Sequence, residues 1–181
     1  MRISLAGRAL VALLVLAPAV SPARAQGAQP GSTTIILVRH AEKAAEPAAD
    51  PALTAAGASR AEMLADLVKD AGVQAVISTQ FVRTRTTAAP TATRLGLPVD
   101  ILDARLTARA TADSVLARYR GHAVLVVGHS NTVPAIVEAL GAPRPADICD
   151  AGYDNVFIVT MPVSGPPTVM RLHYGVKASC P

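Results

Sequence analysis

Three stretches of the 181-residue chain set reactive side chains directly after runs of β-branched and aliphatic residues: Arg39-His40 after Thr33 to Val38, Ser78-Thr79 leading to Arg83 after Val73 to Ile77, and Gly128-His129 after His122 to Val127. Guanidinium groups match phosphate oxygens as two-pronged donors, and a neutral imidazole is a competent nucleophile. Two arginines and two histidines gathered at one place would therefore hold a phosphoryl group, with positive charge where negative charge develops. A metal centre fits less well. His40 and His129 lie on different elements, lack helical ligand spacing, and have no accompanying Cys or carboxylate cluster.

These residues can converge only if the elements before them form one sheet. Thr33 to Val38 is a continuous apolar run of the kind buried on both faces of a sheet, and Val124 to Val127 repeats the pattern. Thr54 can cap a helix in which Ala61, Leu64, Leu67, Val68 and Ala71 follow helical periodicity, ending at Gly72. A second helix is expected over about Phe81 to Leu95, stopped by Gly96 and Pro98, with Pro90 as a point where it can bend, and a third strand over Val99 to Leu102. Thr111 is the expected cap of a third helix reaching Tyr119, with Val115, Leu116 and Tyr119 facing inward, and a fourth helix covers about Val133 to Leu140. Asn155 to Met161 and Thr168 to Tyr174 read as a closing strand pair. Alternating strands and helices predict one α/β domain over residues 33–181, a three-layer sandwich with helices on both faces of a mostly parallel sheet. Ligands of such sheets bind beyond the carboxyl ends of the strands, where the reactive residues stand.

An apolar fraction of 51% with 17% charged residues excludes a disordered or fibrous chain. The formal charge of +4 points to nucleic acid or an anionic surface until its distribution is considered. Arg2 and Arg8 flank or interrupt an apolar start that runs on from Ala9 to Val20, and Ala23-Arg24-Ala25 follows, the order of regions in a secretory signal peptide. Cleavage is expected after Ala25, which makes the protein periplasmic or secreted, with residues 26–32 as a flexible lead. Removing three arginines from 17 basic residues leaves 14 against 13 acidic ones, a net charge of +1. With no Trp and no Lys/Arg cluster, nucleic acid is not an expected partner. The 12-residue apolar run is shorter than the roughly 17–25 residues of a membrane span, and none is expected in the mature chain. Cys149 and Cys180, an even pair in an oxidising compartment, are expected to form a disulfide.

The stretch Leu37-Val38-Arg39-His40-Ala41-Glu42-Lys43 resembles the Arg-His-Gly motif that opens the histidine phosphatase superfamily, the phosphoglycerate-mutase-like group, with Ala41 for Gly as in its small phosphohistidine-phosphatase-like branch. Leu53-Thr54-Ala55-Ala56-Gly57 resembles its Leu-Thr-x-x-Gly helix start, and Ser78 to Ala88 its Ser-Ser-Pro-Leu-x-Arg-Ala-x-Gln-Thr-Ala segment, which aligns the second arginine on Arg83 and not Arg85. Val127-Gly128-His129-Ser130-Asn131 resembles the motif of the second histidine. The resemblance implies that His40 attacks phosphorus while Arg39, Arg83 and His129 bind the nonbridging oxygens, with no metal or other cofactor. Larger members supply a carboxylate as general acid, and here Asp103 is preferred over Asp100 and Glu42. Asn131 beside His129 either reaches phosphate or caps the following helix, and capping is the favoured role.

The function these features imply is hydrolysis of a phosphomonoester, the partner being a small phosphorylated substrate or an envelope sugar phosphate. A protein phosphohistidine phosphatase is a second possibility, against which export argues. From a different class, a noncatalytic phosphate-ligand or protein-binding module on the same fold is separated by trapping phosphate on His40, because a binding module forms no P–N bond. The oligomeric state is not legible in the sequence.

Overall fold

The β-branched runs become strands, and their neighbours in sequence become the helices that cover them. The computed structural model describes residues 31–180; the signal segment expected over residues 1–25 and most of the lead lie outside the described residues. Strands β1 (Thr33–Arg39), β2 (Val73–Thr79), β3 (Val99–Leu102), β4 (Ala123–Gly128), β5 (Asn155–Met161) and β6 (Thr168–His173) form one sheet of order β3-β2-β4-β1-β5-β6. The first four strands run parallel, whereas β5 is antiparallel to both β1 and β6.

Helices α1 (Ala55–Val68) and α2 (Val82–Leu95) cover one face, packed over Ile36, Val38, Val76, Leu125 and Val127. Helices α3 (Ala108–Tyr119) and α4 (Thr132–Ala139) cover the other, over Ile35, Leu37, Ile77, Val124 and Val126. Alternate residues of each central strand thus enter opposite cores, which is why β1 and β4 are apolar throughout. Each large aliphatic side chain buried this way contributes about 1.5–3 kcal/mol.

The helix ends show what the sequence specified locally and what it did not. Thr54 caps α1 as expected, its hydroxyl accepting from the Gly57 N–H at 3.1 Å, though the helix ends at Val68, ahead of Gly72. Gly96 closes α2 with φ +65°, a left-handed conformation that favours glycine. That helix runs unbroken through Pro90, since a proline removes one backbone hydrogen bond and the surrounding packing keeps the rest. The expected cap of α3 is corrected: Thr107, not Thr111, accepts from the Ala110 N–H at 3.1 Å, so the helix begins earlier. Thr111 lies one turn in, and its hydroxyl donates to the Thr107 carbonyl.

Cys149 and Cys180 are bonded, with Cα atoms 6.0 Å apart and 31 residues of separation. In the chain-entropy account a loop of that length is worth about 3–4 kcal/mol. Among the described residues no helix is long and apolar enough to cross a membrane.

Gly57 couples this framework to the segment that follows β1. A Cβ at position 57 would overlap the backbone carbonyl of Glu42, two residues past His40. Gly57→Ala is therefore expected to lower stability by about 1–3 kcal/mol, measured by urea unfolding.

Candidate active site

Parallel pairing of β1 with β4 sets Arg39 opposite Gly128, and the His40 N–H donates to the Gly128 carbonyl at 2.9 Å. The residues that follow these two strands, His40 and His129, thereby become neighbours with ring centroids 5.5 Å apart. Strand β2 lies on the other side of β4 and delivers Thr79, after which the chain turns into α2 and presents Arg83 in its first turn. The structure thus brings Arg39, His40, Arg83 and His129 to one open cleft, with Lys43, Phe81, Ser130 and Asn131 also lining it.

Each ring is held in a defined orientation. His40 Nδ1 lies 2.8 Å from the Ala41 carbonyl; a carbonyl only accepts, so Nδ1 carries the proton and Nε2 of the neutral ring holds the lone pair. The Ala41 N–H donates to Thr87 Oγ1 at 2.9 Å, which fastens this segment to α2. His129 Nε2 is 3.2 Å from Thr79 Oγ1, itself 2.8 Å from Thr84 Oγ1. Phe81 meets the His129 ring edge-on at 5.5 Å.

The cations are positioned by dipoles and ring faces more than by carboxylates. Arg39 Nη1 donates to the carbonyls of Cys149 at 3.0 Å and Asp150 at 2.8 Å, and its guanidinium lies 4.1 Å from the Tyr153 ring centroid. Arg83 stacks 4.2 Å from Phe81, and its Nη1 is 3.5 Å from Asp50. The Nε atoms of both arginines are buried and have no hydrogen-bond partner among the described residues. Burial first, and then the charges of Arg39, His129 and Arg83, push His40 down from 6.5 to about 3 against the opposing Ala41 hydrogen bond. Burial, then Arg83 and Arg39, push His129 down to about 4. Both rings are neutral at physiological pH, the state in which an imidazole attacks.

Asp103 does not fit the role of proton donor. Its carboxylate is bound by the Arg105 backbone N–H at 2.9 Å and by the Arg105 guanidinium, which holds it down at about 2, so it is ionised at every working pH. The carboxylates weighed against it are engaged as well: Asp100 takes the Tyr119 hydroxyl, and Glu42 pairs with Arg60 at 2.8 Å. Asn131 occupies the position before α4 but makes no capping bond, because its dihedrals are already helical (φ −85°, ψ −27°). Thr132 Oγ1 takes the His129 N–H instead, at 3.0 Å.

Sequence reasoning missed three positioning groups. Asp50 caps α2 from a distant loop, accepting from the Val82 N–H at 2.9 Å where Phe81 offers no side-chain cap. Phe81 and Tyr153 supply the faces for the two arginines. Their scarcity among only five aromatics was the one available signal, and it did not show which arginine each would meet.

Residues 35–107 match the family model described as histidine phosphatase superfamily (branch 1). Among curated proteins none matches the chain. Among solved structures, SixA from Nakamurella multipartitia is 21% identical with a TM-score of 0.61, over 81% of this chain and 98% of that one. The protein histidine phosphatase SixA complexed with tungstate is 20% identical with a TM-score of 0.61, over 77% of this chain and 96% of that one. A mycobacterial glucosyl-3-phosphoglycerate phosphatase is 13% identical with a TM-score of 0.58, over 71% and 90%. At these identities the likeness establishes the fold, the phosphoglycerate-mutase-like sandwich expected from the motifs.

Histidines kept neutral in the folded state make stability depend on pH. The unfolded rings take up protons near 6.5, whereas in the folded state His40 waits until about 3 and His129 until about 4. The unfolded state binds more protons between those limits, so stability is full above about pH 6.5 and declines as pH falls through this window. The urea midpoint is expected to drop between pH 7 and pH 4, with a shallower slope in His129→Asn.

Proposed function

We propose that this chain, whose resemblance to the histidine phosphatase superfamily rests on both its motifs and its fold, is an exported phosphatase that hydrolyses a phosphomonoester through a phosphohistidine on His40, without a metal. The observation that carries the reading is His40 itself: a buried ring with its proton fixed on Nδ1, which leaves the lone pair on Nε2, in the lining of a cleft shared with two arginines.

Nε2 of His40 attacks phosphorus, forming the P–N bond as the bond to the leaving oxygen breaks. A water oxygen then attacks phosphorus, the P–N bond breaks, and orthophosphate leaves with the ring restored. Arg39, Arg83 and His129 hold the nonbridging oxygens, where charge accumulates in both displacements. With Asp103, Asp100 and Glu42 all occupied by other partners, the leaving oxygen takes its proton from solvent or departs as a stable anion. Substrates with acidic leaving groups are therefore turned over fastest. Export favours a phosphate ester of the cell envelope, such as a sugar phosphate, over a cytoplasmic phosphohistidine protein.

An aryl phosphate assay in EDTA tests the reading. The wild type is expected to remain active in the chelator, and labelled phosphate should be trapped on the protein by acid-free quenching. His40→Ala should fall to background with its fold intact by circular dichroism, and Arg83→Ala should lose about 10²–10³ in kcat/KM. Full activity of His40→Ala, or strict dependence on added metal, would overturn the mechanism. The acid limb of kcat/KM is expected to follow His40 well below pH 6.5, toward the value of about 3 to which burial holds it.

A further inference from the structure

The segment joining α4 to β5 contains no helix or strand, yet it contributes two of the closest contacts in the candidate active site. Arg39 Nη1 reaches the carbonyls of two consecutive residues, Cys149 and Asp150, and Tyr153 from the same segment lies under the guanidinium and 6.0 Å from the His40 ring. A stretch of backbone without a ladder of its own is a poor support for a charged side chain unless something fixes it. Besides the exposed Arg144–Asp147 pair at 3.0 Å, its internal bonds include a turn from the Gly152 N–H to the Cys149 carbonyl at 2.8 Å and one from the Tyr153 N–H to the Ala151 carbonyl at 3.0 Å.

The covalent support comes from the far end of the chain. Cys149 is joined to Cys180, and the tail that carries Cys180 is itself tied down at three points. The Ala178 N–H donates to Asp154 Oδ2 at 3.1 Å, and the buried Arg60 donates to the carbonyls of Tyr174 at 2.8 Å and Val176 at 2.9 Å. Arg60 also holds Glu42, two residues beyond His40. Bridge, tail and α1 thus connect the segment under Arg39 back to the segment after His40.

We infer that the Cys149–Cys180 disulfide is a positioning element for Arg39: by fastening the 149–153 segment to the anchored tail, it fixes the two carbonyls and the ring that aim the guanidinium at the bound oxyanion. The inference rests on the phosphatase reading and deepens it. Two-pronged recognition of phosphate depends on the orientation of the guanidinium plane, so a displacement of about 1 Å in its supports is felt as lost affinity. A bridge that only restrained the unfolded chain would leave oxyanion affinity of the folded protein unchanged.

Binding of inorganic phosphate, measured by calorimetry and as competitive inhibition, separates the two roles. In Cys149→Ser/Cys180→Ser the Kd for phosphate is expected to rise about tenfold at a temperature where the protein is folded, and folded wild type treated with dithiothreitol should show the same rise. The effect must pass through Arg39: in an Arg39→Lys background, removing the bridge should change Kd less than twofold, since coupled groups are not additive. A Kd within twofold of wild type after loss of the bridge, or the same tenfold rise in the Arg39→Lys background, overturns the inference while leaving the phosphatase reading in place. Unfolding on loss of the bridge by both routes would assign it to stability alone and also overturn it. A wild type that binds no phosphate fails the phosphatase reading, and the inference falls with it.

Discussion

The parallel pairing of β1 with β4 is the constraint on which the remaining features depend. Its register sets Arg39 opposite Gly128 and draws the His40 N–H onto the Gly128 carbonyl, so the two residues that follow the strands have no freedom to separate. The pairing is fixed in turn by burial. Both strands are apolar on both faces, and a slip of one residue would exchange the sets that enter the two cores. A hydrophobic requirement in the middle of the sheet thereby sets the geometry of a polar site at its edge.

At that edge the electrostatic problem is to gather cationic groups without neutralising them. Carboxylates placed directly on both guanidinium groups would occupy the donors that a phosphoryl group needs. Arg39 is held by carbonyl oxygens and a tyrosine ring, Arg83 by a phenylalanine ring and a long contact to Asp50. Carbonyls and ring faces orient a cation at lower Coulombic strength than an ion pair. The uncompensated positive charge then acts with burial to keep both imidazoles unprotonated. The arrangement that would bind an oxyanion is therefore also the one that keeps a nitrogen lone pair available.

The supports come from segments far apart in the chain, and most have no regular structure. Asp50 in the loop before α1 caps α2, Thr87 in the middle of α2 anchors Ala41, and the segment before β5 carries Tyr153 and the two carbonyls under Arg39. Arg60, a buried residue of α1, ties Glu42 to the carbonyls of Tyr174 and Val176 in the tail. The sheet places the four residues of the cleft; these cross-connections orient them.

The sequence by itself determined the elements and the four residues that meet. Runs that must be buried on both faces identify β1 and β4, capping chemistry identifies Thr54, and a left-handed glycine identifies the end of α2, because each of these depends on residues within a few positions of one another. Tertiary structure decided what depends on distant partners. Asp103 has the right type and a plausible place in sequence, and only the fold shows Arg105 binding its carboxylate and Asp100 and Glu42 spoken for by Tyr119 and Arg60. The choice of Thr107 over Thr111 and of Thr132 over Asn131 turned on backbone dihedrals that the residue types alone leave open. The net charge of +4 shows the same division. Composition counts the cations, but strand register and loop contacts decide which of them face a cleft and which meet a carboxylate on the surface.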